Sequence, residues 1–288
     1  MTAGSWRQVD WPRVVQRRRV NGRDLVFVDL GEDRDVPALL LIHGLGGQWQ
    51  NWLDNINPLS AHRRVIALDL PGFGYSAPLA DPTLISGYAD AAIALCDALG
   101  VAHVVPVGSS FGGIVAVDLA SRHADRVDRV ALVDAAGITL TRRERLAALG
   151  ALRLVATAVM PLRRAHRAIA QRPRLRRWAL WLALDDAAAL PADLVYQALF
   201  GPPGPSFAAV LGAGVGCLGP SWDERLRQLT RPALVVWGAR DRLLPLRHAH
   251  EFVKLIPDAQ LVVIDAAGHA PMLERPVVFN AALLAFLG

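Results

Sequence analysis

An α/β fold, with a mostly parallel central sheet flanked by helices and an all-helical insertion, is predicted by three observations. Short unbroken apolar runs recur along the chain, amphipathic helical patterns alternate with them, and one long interval between two such runs contains no strand pattern at all. At 288 residues, 53% hydrophobic and 20% charged, the chain has enough apolar side chains for one large core, and its composition excludes a disordered protein.

The first element is a hairpin from Val14 to Leu30, turning at Asn21-Gly22, which opens the sheet with an antiparallel edge. Ala38 to Ile42 is a continuous apolar run ending in His43-Gly44, as expected of a strand buried on both faces. Runs of the same kind are Val65 to Leu68, Val104 to Val107, Val130 to Val133, Ala233 to Val236 and Leu261 to Ile264. Helical patterns lie at Leu84 to Leu99, Phe111 to Arg122, Leu246 to Ile256 and Pro276 to Phe286. From Ile138 to Pro220 the residues are Ala, Leu and Arg with Trp178, Trp181, Tyr196 and Phe200 interspersed. This interval reads as several helices forming a lid at the carboxyl ends of the strands. The expected division is a core of residues 1–137 and 221–288 with a cap of residues 138–220.

The net charge is +5 and the pI about 10, carried almost wholly by arginine, with Lys254 the one lysine. Eleven arginines stand against the single acid Glu144 between Arg142 and Arg177. A basic lid of this kind has three uses: a solvated surface, a field that draws in an anionic small substrate, or peripheral contact with an anionic membrane. Nucleic-acid binding is not expected, because no recognition-helix or aromatic-interleaved motif accompanies the charge. The N-terminus has no apolar signal-peptide core and no twenty-residue stretch is free of charge, so neither secretion nor a transmembrane helix is expected. Cys96 and Cys217, far apart and in apolar surroundings, suit two reduced thiols, and a cytoplasmic location follows.

The chemistry centres on Gly108-Ser-Ser-Phe-Gly112, a G-x-S-x-G motif set between a strand and a helix. Small residues on both sides of the serine allow a cramped reversal that thrusts the Ser110 hydroxyl outward, at a helix start whose free amides favour developing negative charge. A serine hydroxyl needs a base, and His269, on the loop after Leu261 to Ile264, stands at the carboxyl edge. The other histidines considered, His62, His103, His123, His166, His248 and His250, fall on helices, before a strand or in polar stretches and read as structural or solvated. Asp241, after Ala233 to Trp237, is preferred as the orienting acid to its rival Asp134, while Asp69 and Asp265 read as turn residues. Backbone amides of Phe111 and Leu45, the latter in the loop His43-Gly-Leu-Gly-Gly47, are the expected oxyanion donors. Trp178, Trp181 and Phe200 of the insertion are candidates for lining an acyl pocket.

Taken together, His43-Gly-Leu-Gly-Gly47, Asp69-Leu-Pro-Gly-Phe-Gly-Tyr-Ser76, the serine motif, Trp237-Gly-Ala-Arg-Asp241 and Gly268-His269 resemble the signature segments of the α/β-hydrolase fold superfamily, in its order of nucleophile, acid and base. The resemblance covers Leu25 to Asp134 and Pro232 to Leu287. It implies a Ser110, Asp241 and His269 triad, a helical cap, and a serine esterase or lipase-like activity on a small-molecule ester that needs no cofactor. A serine at 110 argues against the branches with an aspartate nucleophile. Carbon-carbon bond hydrolases of ring-cleavage products are also similar, at Asn51-Trp52 and Leu244-Pro245, but Ser109 and Ala270 depart from their usual Asn and Trp. A ligand-binding protein with little turnover is the third reading.

Overall fold

A computed structural model describes residues 4–32, 35–138, 141–154, 157, 165–201, 204–214 and 220–288. Cys217, expected to be a reduced thiol, lies outside them; Cys96 is free and buried.

The predicted hairpin is present as β1 (Val15–Val20) and β2 (Arg23–Leu30), paired from Val15↔Val28 to Val20↔Arg23. Asn21 and Gly22 both take positive φ, 49° and 77°, which matches the twist of a two-residue hairpin turn to that of its strands. Next come β3 (Ala38–Ile42), β4 (Val65–Leu68), β5 (Val104–Ser109), β6 (Val130–Val133), β7 (Ala233–Gly238) and β8 (Ala259–Ile264). They form one eight-stranded sheet in the order β1-β2-β4-β3-β5-β6-β7-β8, antiparallel at β1/β2 and β2/β4 and parallel elsewhere.

Every residue of β3 through β7 is buried, which is why these strands read as unbroken apolar runs. Their side chains alternate between two cores. In β3, Leu40 and Ile42 join the cluster beneath one helical layer, and Leu39 and Leu41 join the other. The first layer contains α3 (Ile85–Ala98), α4 (Phe111–Arg122), α10 (Pro220–Arg227) and α11 (Arg247–Leu255). The second contains α2 (Leu53–Ser60), α12 (Pro271–Glu274) and α13 (Pro276–Leu287). A short α1 (Trp11–Val14) precedes β1.

Helix α2 is not among the sequence-predicted elements. Its buried face includes Asp54 and Asn55, which interrupt the apolar period, and Pro58 lies inside it. These polar groups have partners: Asn55 donates to Met272 O and Asn280 Oδ1, and Asp54 accepts the Gly4 N–H.

Between β6 and β7 lies the insertion, whose described helices are α5 (Arg142–Leu154), α6 (His166–Gln171), α7 (Pro173–Leu180), α8 (Ala192–Leu199) and α9 (Phe207–Gly214). The guanidinium of buried Arg176 pins the α6–α7 turn, donating to the carbonyls of Ala170, Ala187 and Ala188. One cap arginine is therefore an internal strut and not part of a charged surface. No helix among the described residues is long and apolar enough to cross a membrane.

Candidate active site

The order of the strands reverses between β3 and β5, so the loops leaving their carboxyl ends diverge and open a crevice there. Ser110 stands at that point between β5 and α4 with φ 53° and ψ −115°, a conformation that strains any residue with a Cβ. The strain is held from several directions. Ser110 N–H donates to Val133 O, and its carbonyl accepts from Gly113 and Ala136. A methyl group at Gly108 would collide with the Gly112 carbonyl, and one at Gly112 with the carbonyls of Ile42 and His43. Both motif glycines are thus required by the close approach of backbone to backbone.

His269 follows β8, and its Nδ1 lies 2.7 Å from Asp241 Oδ2. The Asp241 carboxylate is fully buried beyond β7, with its other oxygen accepting the Leu243 and Leu244 N–H groups at 2.7 and 3.0 Å. An imidazole held this way donates from Nδ1 and turns Nε2 toward the crevice as an acceptor. Asp134, weighed as the rival acid, also stands here, at the end of β6 with φ 42° and no exposure. Its Oδ1 accepts the Gly238 N–H at 2.9 Å; an oxygen each of Asp134 and Asp241 and a nitrogen of His269 lie within 4.8 Å of one another. Burial, with the Asp241 carboxylate beside it, pushes the Asp134 carboxyl well above the usual carboxylate range. His269 is bonded to Asp241, as expected, and not to Asp134.

The loop after β3 is fixed by His43, which the sequence marks only as part of a motif. Its Nδ1 donates to Gly44 O at 2.7 Å and its Nε2 accepts the Leu70 N–H at 2.9 Å, an arrangement that requires the neutral ring. Burial lowers its pKa to about 4. Asp69, read as a turn residue, is a buried clamp whose carboxylate accepts the Trp49 and Tyr75 N–H groups; burial raises its pKa to about 6. Between these anchors, Leu45 faces the crevice. Across it, Phe111 is the first residue of α4, so its N–H has no acceptor within the helix. Its ring packs against Phe73 and Tyr88.

Ser110, Leu45 and His269 all line one cavity of about 220 Å³. The cap supplies its roof through Leu180, Ala183, Leu184, Ala198, Leu199 and Phe207, and the core contributes Gln48, Asn51, Met272 and Leu273. No arginine or lysine is among the described residues that line it. The expected pocket residues are elsewhere. Trp178 and Trp181 are 69% and 53% exposed, because Leu180 and Leu184 take the inward positions four residues apart and turn both indoles to the outside. Phe200 stacks on buried His166 at 4.6 Å in a neighbouring groove with Tyr75 and Tyr196. Trp178, Trp181 and Phe200 therefore do not line the cavity, whose described lining from the cap is aliphatic apart from Phe207.

Glu274 was not singled out in the sequence. Its buried carboxylate accepts the N–H groups of Gly268, Asp185 and Asp186, joining the base's loop to the cap. His269 N–H donates to Ala183 O, and Arg242 donates to the carbonyls of Trp181 and Leu184. The segment Trp181 to Asp186 is thus stitched to the loops bearing Asp241 and His269. The available signal was a single acid in the otherwise apolar stretch Ala270 to Leu273 and Glu274. His248, expected to be structural or solvated, is buried against Glu144 of α5.

The model of the alpha/beta hydrolase fold family matches residues 37–276. A pimeloyl-[acyl-carrier protein] methyl ester esterase of Aromatoleum aromaticum is 35% identical over 244 residues, covering 83% of this chain and 94% of its own. Among solved structures, a bacterial membrane phospholipase A aligns with a TM-score of 0.75 at 27% identity, over 95% of this chain and 85% of that one. The meta-cleavage product hydrolase of Pseudomonas fluorescens IP01 aligns with a TM-score of 0.77 at 28% identity, over 96% and 98%. The strained serine turn, the parallel sheet order and these matches have one common source: the chain belongs to the alpha/beta hydrolase fold family.

Proposed function

We propose that the protein is a serine hydrolase that cleaves an uncharged carboxylic ester through an acyl-enzyme on Ser110. The observation that carries this reading is an imidazole oriented by a buried carboxylate, opening onto an apolar cavity that it shares with a serine on a strained turn. His269 Nε2 takes the Ser110 proton as the hydroxyl oxygen attacks the ester carbonyl, and Asp241 stabilises the imidazolium. The N–H groups of Phe111 and Leu45 hold the oxyanion. His269 then returns the proton to the departing alkoxide, and water repeats the cycle on the acyl group to release the acid and regenerate Ser110.

Relatives support two activities, ester hydrolysis and cleavage of meta-cleavage products. The cavity favours the first. A ring-cleavage acid brings a carboxylate whose burial needs a cation, and none of the described residues lining the cavity supplies one. The volume lies below the roughly 300–1,000 Å³ of drug-sized sites, which favours a small acyl group. The free, buried Cys96 agrees with a cytoplasmic location.

A panel of nitrophenyl esters of graded acyl length, run beside a vinylogous diketone acid, tests the reading. Sustained ester turnover that is fastest for small acyl groups and lost in Ser110→Ala supports it. Faster consumption of the diketone acid favours the carbon-carbon reading instead. A single-turnover burst assigns the fold to ligand capture.

A further inference from the structure

We propose that the outer face of the cap, centred on α7, is a docking surface for an anionic lipid bilayer. Residues 145–184 hold nine of the chain's 31 basic residues and none of its 26 acidic ones, which leaves the rest of the chain with more acids than bases. Charge is therefore unevenly divided along the chain; of these arginines Arg176 is buried, and Arg177 faces Asp186 at 3.7 Å, as Arg242 faces Asp185 at 3.3 Å. Arg172, Arg174 and Arg177 are exposed, and among them stand Leu175, Trp178 and Trp181, also exposed. Arg174 and Leu175 lie four and three residues before Trp178, on one side of the helix, and Arg242 lies over the Trp181 ring. Guanidinium groups interleaved with indoles match a bilayer interface, where phosphates meet the first and the headgroup boundary accommodates the second.

Two observations separate this partner from the other uses of a basic lid. The described residues lining the catalytic cavity include no cation, so these arginines do not serve an anionic substrate inside it. A lid that is only solvated has no use for two exposed tryptophans beside its arginines. The same segment turns Leu180, Ala183 and Leu184 into the cavity, so the docking face and the cavity roof are two sides of one piece of chain. That bilayer-dissolved esters enter beneath it rests on the esterase reading; the docking itself does not.

Co-sedimentation of the full chain with vesicles tests the docking. Binding is expected to phosphatidylcholine vesicles containing phosphatidylglycerol and not to phosphatidylcholine alone. The combined Arg172→Ala, Arg174→Ala and Arg177→Ala variant is expected to lose roughly tenfold or more in affinity, since each cation contributes separately. Trp178→Ala is expected to weaken binding while turnover of a water-soluble ester stays within about twofold. Absence of binding, equal binding to both vesicle types, or equal binding by the triple variant overturns the proposal, as does tighter binding to a DNA duplex than to the vesicles. Vesicle binding without ester turnover keeps the docking surface and removes the esterase reading.

A separate observation, at the triad, carries a second inference: Asp134 is a positioning residue that hydrogen-bonds Asp241 through a shared proton. Among the described residues Asp241 already accepts from Leu243, Leu244 and His269, whereas Asp134 accepts from Gly238 alone, and no donor among them reaches Asp134 Oδ2. Two adjacent buried carboxylates facing His269 and Glu274 do not both ionise, and the proton stays on the one with fewer donors. Asp134→Asn, whose amide can still donate, is expected to retain the acid limb of the kcat/KM pH profile. Asp134→Ala is expected to move that limb upward, because Asp241 becomes more basic, and to lower kcat by roughly ten- to hundredfold with KM unchanged. An identical pH midpoint in all three proteins, or an Asn variant that matches the Ala variant, overturns it.

Discussion

The carboxyl edge of the sheet and the cap above it make the same cavity by different means. In the core, each candidate residue follows a strand of the sheet: Ser110 comes directly after β5, Asp241 after β7 and His269 after β8. β5 and β7 are covered on both faces, so one sequence pattern has one structural outcome, and β8 is the partly exposed edge strand beside them. The cap is built of short helices buried on one side only, fastened to the core by Arg242, Glu274 and the Ala183 carbonyl. On the proposed reading, the core sets the chemistry and the cap sets the shape of what enters. The two regions should therefore fail differently when mutated.

Ser110→Ala and His269→Ala should each reduce kcat by roughly 10⁴-fold or more while thermal unfolding is unchanged within a few degrees, as checked by steady-state kinetics and calorimetry. A cap substitution in the cavity should act on substrate choice instead. Leu184→Trp, which fills space over Ser110, is expected to raise KM for longer acyl esters more than for acetate, whereas Trp181→Ala leaves both unchanged on water-soluble esters. If Trp181→Ala produced the larger change, the inward and outward faces of the cap would be wrongly assigned.

This is also where the sequence was least informative. Strand positions, the hairpin turn, the serine turn and the loops bearing Asp241 and His269 were legible, because apolar runs between glycines and turn residues have few alternative structures. For Trp178, Trp181 and Phe200 the aromatic character was legible but the facing was not: short helices rich in Ala, Leu and Arg show several plausible apolar stripes, and the neighbouring elements select one. Glu274 and His43 were hidden for a different reason. Their work is done through backbone N–H groups and carbonyls, which leave no trace in side-chain patterning.

Buried polar anchors of the core should make its stability sensitive to pH. His43 titrates near 4 when folded and near 6.5 when unfolded, so the unfolded chain binds the proton first as pH falls. Stability should be fully present above pH 6.5 and decline down to pH 4, by about 3 kcal/mol in total from this group. Burial raises Asp69 to about 6 and so adds a slope of opposite sign over much of the same range, and the His43 contribution is therefore read as the difference between the wild type and His43→Gln in urea unfolding. The wild type should lose more stability than His43→Gln as pH falls from 6.5 to 4; no difference would mean that His43 is charged in the folded protein.

A last contrast is between two glycines, and its cap half is the smallest effect expected. Gly112→Ala in the core should prevent stable folding or expose the serine turn to proteolysis, because the added methyl meets backbone. Gly150→Ala, in a cap helix with open space around it, should instead raise stability by up to about 1 kcal/mol. Measured melting temperatures of the two variants would show whether the cap's helix carries any packing constraint at that point.

The central claim is that Ser110 becomes covalently acylated during turnover. Intact-protein mass spectrometry after acid quench of a nitrophenyl ester reaction, followed by peptide mapping, tests it most directly. The expected result is one acyl group per chain on the peptide containing Ser110, present during turnover, decaying when the ester is exhausted, and absent from Ser110→Ala. Continued hydrolysis by Ser110→Ala, or an adduct on another residue with Ser110 unmodified, would contradict it.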